Sequence, residues 1–324
     1  MKRWKSYVKW TGISVGSVAA LFVVAVYALQ YRTYEAPYPQ IVASNDSVVI
    51  ARGRHLVYGP AHCNFCHGSW DELPRIMAGE TIDLKGGNAF TLPFGIIRTP
   101  NITSDRETGI GAFSDGEIAR SLRFGVDREG HALFDFMPFH NLSDEDLTAI
   151  VSYLRTLPPV KNAVERRDIN FAGKAVNAFL IRPVGPDGTP PATVPPDSTA
   201  AYGKYLAHSV ANCVGCHTDR DMKTGAFIGK PFAGGLEMGS DLVPGLMFTT
   251  PNITPDEATG KMALWDEESF ILRFRAGSLE EGTVMPWGAY GNMSDLELKA
   301  LYRYLKTVTP VRNEVKQIVW RKEG

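Results

Sequence analysis

Cys63-Asn64-Phe65-Cys66-His67 returns 150 positions later as Cys213-Val214-Gly215-Cys216-His217, and these two strings govern how the rest of the chain is read. In a C-x-x-C-H string two thiols lie one helical turn apart and can reach the two vinyl groups of a haem. The adjacent imidazole then faces the iron. A disulfide or a zinc site can use the same thiol spacing, but neither needs a histidine directly after the second cysteine. The chain has four cysteines, and all four fall inside the strings. The expectation is two covalently bound haem c groups, attached at Cys63, Cys66, Cys213 and Cys216, with His67 and His217 as iron ligands.

The strings belong to a longer internal repeat. Thr99-Pro100-Asn101-Ile102-Thr103 recurs as Thr250-Pro251-Asn252-Ile253-Thr254, 151 positions on. Gly53 and Leu56 match Gly203 and Leu206, and Arg123 and Gly125 match Arg275 and Gly277. Met137-Pro138 matches Met285-Pro286, and Ser143-Asp144 matches Ser294-Asp295. Landmarks kept in one order over such a distance indicate two copies of one unit. Helical patterns over Val48–Tyr58 and Thr199–Ser209 run into the strings. Amphipathic helices starting at Ser143 and Ser294, each with a capping-box pattern, close the copies before Pro158 and Pro310. The Gly, Pro and Asn content between these helices predicts short helices joined by long loops rather than sheet. The fold class is mainly α, with two tandem class I cytochrome c-like haem domains after an N-terminal transmembrane helix. The divisions are an anchor or uncleaved signal at 1–31, a tether at 32–46, a first domain at 47–160, a Pro/Gly-containing linker at 161–197, a second domain at 198–315 and a tail at 316–324.

The sixth iron position decides whether a haem conducts electrons or reacts with a small molecule. Met137 follows His67 by 70 residues and Met285 follows His217 by 68; both precede proline beside aromatic residues. Proline fixes the backbone next to the sulfur, and Met/His is a common axial pair. Met137 and Met285 are the expected sixth ligands, whereas Met77, Met222, Met247 and Met293 read as core filler. His131 and His140 flank Met137 and compete with it, but no histidine lies near Met285. His55, His62 and His208 fit hydrogen-bonding roles at the surface or toward a propionate. The repeated Thr-Pro-Asn-Ile-Thr has two even readings: side chains lining the haem edge, or a turn in which Asn satisfies its own backbone.

Lys2, Arg3, Lys5 and Lys9 precede an uncharged run from Trp10 to Tyr31. A run of this length can cross a bilayer, and the basic flank predicts a cytoplasmic N-terminus. The expected location is the bacterial inner (cytoplasmic) membrane, with the haem domains facing the periplasm; a cleaved signal peptide is the alternative. A net charge of -1 offers no field for nucleic acid, which is excluded as a partner.

These motifs resemble the membrane-bound cytochrome c subunits of bacterial alcohol, gluconate and related dehydrogenases. The likeness rests on both haem strings, on Thr99-Pro100-Asn101-Ile102-Thr103 with Thr108-Gly109-Ile110-Gly111, on Met137-Pro138 and on the acidic start of the last helix. It spans roughly Ser47 to Val311. The chain departs from the pattern in having two haem strings where those subunits commonly have three, and in placing its apolar segment at the N-terminus. Methionine ligation closes each iron to substrates and predicts electron transfer rather than catalysis, from a dehydrogenase or quinol-linked donor to an acceptor protein or oxidase; the resemblance implies a dehydrogenase as that donor. The chain would then be a subunit of an oxidoreductase complex. A dihaem peroxidase is the rival reading, and it requires one iron with an open or displaceable site.

Overall fold

The computed structural model describes residues 2–165, 167–221 and 225–322; Met222, expected above to be core filler, lies outside them. The chain opens with a long helix, α1 (Lys2–Leu29), most of whose surface is exposed. The N-terminal half then runs through α2 (Ser47–Tyr58), α3 (Cys63–His67), α4 (Leu73–Met77), β1 (Ala89–Leu92), β2 (Gly95–Arg98), α5 (Asp115–Phe124), α6 (Asp144–Thr156), β3 (Arg167–Ile169) and α7 (Phe171–Phe179). The C-terminal half follows with α8 (Ala200–Tyr205), α9 (Cys213–Cys216), β4 (Glu237–Gly239), β5 (Leu246–Thr249), α10 (Glu267–Arg275), α11 (Trp287–Gly291), α12 (Asp295–Leu305) and β6 (Val319–Arg321). A π-helical turn over Leu206–Val210 continues α8 toward the second string.

Each half is built on one helix crossing, α2 with α6 and α8 with α12. The matched glycines explain how the axes come so close. A Cβ at Gly53 would overlap the Ala149 carbonyl oxygen and lie 2.7 Å from Tyr153 Cβ. A Cβ at Gly203 would overlap Ala300 O and lie 2.8 Å from Tyr304 Cβ. Leu56, Leu142, Leu147 and Ile150 are buried around the first crossing, and Tyr202, Leu206, Leu298 and Leu301 around the second. They join into one continuous hydrophobic core that also takes in Met293, with Met77 packed against it.

The helix starts bear out part of the capping pattern. Ser294 Oγ accepts from Glu297 N (3.2 Å) while the Glu297 carboxylate accepts from Ser294 N (2.9 Å), closing a full box on α12. On α6 Ser143 Oγ accepts from Asp146 N, but the Asp146 carboxylate is engaged elsewhere, by Arg52 and Tyr205. The two free N–H groups of that first turn, on Asp144 and Glu145, donate to the carbonyls of Pro191 and Ala192. This fastens the 161–197 segment to α6 and satisfies donors that a helix start leaves open.

The expectation of loops without sheet is corrected. Among the described residues two three-stranded antiparallel sheets form, β1-β2-β3 and β4-β5-β6, with β3 drawn from 161–197 and β6 from the last ten residues. Short runs such as Gly95–Arg98 and Leu246–Thr249 sit half inside the structure, and their backbone groups need partners there. Segment 32–46 is extended yet attached: Tyr34 N donates to Gly130 O, Ala43 N donates to Asp115, and Arg120 lies 4.2 Å from the Tyr38 ring.

Candidate functional site

Both C-x-x-C-H strings form a single helical turn entered through a left-handed residue, His62 (φ 41°) in one half and Asn212 (φ 51°) in the other. Such a conformation is unfavourable for a residue with a Cβ and persists where surrounding contacts require it. It turns the chain into a short helix that holds Cys63, Cys66 and His67 in the first string and Cys213 and Cys216 in the second, where His217 is the C-cap. The four cysteines form no disulfide with one another. Burial pushes the Cys63, Cys66 and Cys213 thiols up to about 12. Among the described residues, the one cluster with metal-ligand geometry is Asp127, Glu129 and His131, which contains no cysteine.

Both histidines are held through Nδ1. His67 Nδ1 lies 2.9 Å from Pro100 O, and His217 Nδ1 lies 3.0 Å from Pro251 O. A carbonyl oxygen only accepts, so each Nδ1 carries the proton and donates it. The Nε2 lone pair is left for a metal. Burial lowers the pKa of both imidazoles and favours this neutral form. A thiol pair one turn apart, followed by a neutral imidazole with Nε2 available, fits a covalently attached haem at each string.

The same bonds explain the repeated Thr-Pro-Asn-Ile-Thr. The Asn101 carbonyl oxygen accepts from Thr103 N (3.0 Å) and Thr103 Oγ1 (2.7 Å), and its amide donates to Val160 O (2.7 Å). Asn252 makes the matching bonds to Thr254 N (2.9 Å), Thr254 Oγ1 (2.8 Å) and Val311 O (2.7 Å). The side chain therefore closes its own turn, and the proline carbonyl carries the contact to the site. Sequence reasoning missed that carbonyl because a backbone acceptor has no residue signature.

Met137 and Met285 sit on the loops after α5 and α10, half-buried against the core. Each carbonyl accepts from the N–H two residues on, Phe139 or Trp287, at 2.8 Å. The two Met-Pro turns thus share one backbone form. Met137 lines a small depression with Leu133, Asp135 and His140. His140 is committed at both ring nitrogens, to Asp135 (2.9 Å) and Arg123 O (3.2 Å). His131 pairs with Asp127, His55 with Glu297, His62 with Pro60 O and His208 with Tyr304.

The fold also brings the two strings together. Cys66 is close enough to Cys216 and Asp241 for both to disfavour its thiolate, after burial itself. Tyr290 stands between the strings: its ring is 5.4 Å from that of His62, its hydroxyl donates to Ala211 O (2.6 Å), and Cys213, Cys216 and Cys66 are all near it. Cys66 and Cys216 occupy matched positions, and so do other pairs at the contact between halves. Arg52 donates to Asp146 (2.9 Å), to Glu297 (3.2 Å) and to its own counterpart Tyr202 (3.1 Å). His55 meets Glu297 at 2.8 Å, and its counterpart Tyr205 donates to Asp146 at 2.8 Å. Each half thus sends the same position of its first helix to the acid in the first turn of the other half's last helix. The contact has two-fold character. Arg52 and His55 opposite Tyr202 and Tyr205 were the overlooked signal in the sequence.

No family model matches the chain. Relatives do exist among curated proteins. The chain is similar to cytochrome c subunits of dehydrogenases. It is 26% identical over 316 residues to the cytochrome c subunit of the quinone alcohol dehydrogenase of Gluconacetobacter polyoxogenes, covering 92% of this chain and 63% of that protein. It is 27% identical over 320 residues to a nicotinate dehydrogenase subunit of Pseudomonas putida, covering 92% of this chain and 25% of that protein. A diheme cytochrome c-type protein of Cereibacter sphaeroides is 25% identical over 271 residues, with 81% and 86% covered. The chain therefore spans a quarter of one of the dehydrogenase relatives and about three fifths of the other. These similarities agree with electron transfer as the role.

Proposed function

We propose that the chain is a membrane-anchored dihaem cytochrome c that relays electrons from a dehydrogenase or quinol-linked donor to an acceptor protein or oxidase. Cys63, Cys66, Cys213 and Cys216 would form the thioether links, and His67, His217, Met137 and Met285 would ligate the irons. The units 47–160 and 198–315 each hold one haem. Bound haem supplies an iron that alternates between ferric and ferrous states. The protein holds each imidazole in one tautomer through Pro100 O or Pro251 O, and the core beneath the strings keeps water away. The paired histidine–proline bonds carry this reading, because they prepare both sites in the same way.

For the membrane, α1 offers an uncharged stretch from Trp10 to Leu29, and its most apolar window has mean hydropathy 2.2 with 6% of that window buried. A core helix of a soluble protein would be covered. At 1.5 Å per residue this stretch rises about 30 Å, which matches the roughly 30 Å of a bilayer's hydrocarbon. The basic N-terminal side faces the cytoplasm and both halves face the periplasm. The relatives lend the peroxidase alternative no support.

Pyridine haemochrome quantification and intact mass of the detergent-extracted chain test the proposal, with two haems per polypeptide expected. Met137→Ala and Met285→Ala should each lower the potential of one haem in a redox titration. One haem or none, or unchanged spectra and potentials in both variants, would refute the assignment.

A further inference from the structure

We infer that α7 is a second membrane element, lying in the periplasmic-side interface of the bilayer against α1. This rests on α1 crossing that bilayer, as proposed above. The sequence Phe171-Ala172-Gly173-Lys174-Ala175-Val176-Asn177-Ala178-Phe179 follows β3 and forms a helix docked on the C-terminal part of α1. The Phe22 ring stacks on Phe179 at 5.7 Å and meets Phe171 edge-on at 6.3 Å. Lys174 Nζ lies 4.9 Å from the Tyr27 ring, and the Asn177 amide donates to Gln30 O.

These contacts fix the level of α7 along α1. Its polar residues meet Tyr27 and Gln30 at the end of the apolar run, while Phe179 reaches Phe22 and Phe171 spans Phe22 and Tyr27. Five residues of helix separate Phe22 from Tyr27, a rise of about 7.5 Å. An amphipathic helix in a membrane interface buries its apolar face to a depth of about 5–10 Å, so the two figures agree. The surfaces left uncovered are of the right kind: Phe171 and Phe179 remain exposed despite their contacts, and Leu180 is 64% exposed just beyond the helix. Above them Arg32 and Arg182 both lie over the Tyr34 ring, giving cationic groups at the level of lipid phosphates. The partner that fits an apolar surface continuous with a transmembrane helix and rimmed by arginine and lysine is the lipid bilayer itself. A foot of two helices, in place of one flexible stalk, would hold the N-terminal half at a fixed height and tilt.

Photo-crosslinking of the full haem-loaded chain in phosphatidylcholine/phosphatidylglycerol vesicles tests this. p-Benzoylphenylalanine replaces Leu180, or Val18 on α1, or Leu264, an exposed leucine outside both helices. The haem absorption bands report folding of each variant. Lipid adducts at 180 and 18, within about two-fold of each other and well above 264, are the expected result. Adducts at 18 with position 180 no higher than 264 would overturn the role of α7 and leave the anchor standing. Absence of adduct at 18 would overturn the anchor, and with it the two-helix foot.

Discussion

Glu297→Gln tests the contact between the halves most directly. Burial alone would raise the Glu297 carboxyl, but hydrogen bonding and charge from His55, the Ser294 N–H and the Arg52 charge outweigh it and hold the group at about 2, against an ordinary 4.5. At about 1.4 kcal/mol per pH unit, that displacement corresponds to about 3 kcal/mol of folding stability. A carboxyl depressed in the folded state stabilises fully above its unfolded value and loses that contribution as pH falls from about 4.5 through about 2. The amide keeps the volume but removes the charge, and Arg52 retains Asp146. The variant should therefore be less stable than the parent by about 3 kcal/mol at pH 7, with the gap closing toward pH 2. Urea unfolding of the detergent-solubilised chain, followed by far-ultraviolet circular dichroism between pH 2 and 8, measures both quantities. A gap below about 0.5 kcal/mol at pH 7, the range of an exposed ion pair, would refute the reasoning. So would a gap of constant size across the pH range.

The helix crossings give a second test: Gly53→Ala and Gly203→Ala should each cost about 2–3 kcal/mol, because the methyl meets backbone on the opposing helix. Thermal melts that leave either variant at the parental midpoint would contradict the packing. Asn101→Ala removes the bonds that shape the Pro100 turn and should perturb the spectrum of the first haem alone, while Asn252→Ala affects the second; low-temperature visible spectroscopy separates the two. Tyr290→Phe loses one hydrogen bond, worth about 1 kcal/mol, and keeps the ring between the strings. Tyr290→Leu removes the ring as well, and should alter the magnetic coupling between the two haems in electron paramagnetic resonance where the phenylalanine variant does not.

Much of this architecture can be read from residue order. The glycine pair, the cysteine strings and the Met-Pro pair keep their spacing because the two halves repeat one backbone course, and that shared geometry leaves a mark in the sequence. Gly53 and Gly203 are legible since only glycine allows the close crossing. Other features leave no such mark. The bond to His67 comes from a backbone carbonyl of Pro100, and the sheets form from runs of three or four residues too short to show a period. The acidic start of α6 has the pattern of a complete capping box, yet Asp146 serves Arg52 and Tyr205, a demand imposed from another part of the fold. Likewise α7 lies in a stretch whose Gly-Pro turns suggest a linker, and its docking on α1 joins residues about 150 positions apart.

The contact through Arg52, His55, Tyr202 and Tyr205 also limits how such units can be multiplied. A face that pairs with its own counterpart is used up by two copies, unlike a head-to-tail face, which leaves one free for the next. A third unit brought to this chain would therefore have to dock elsewhere, on a surface the first two do not share. The pair is a closed figure, and growth beyond it calls for a different kind of joint.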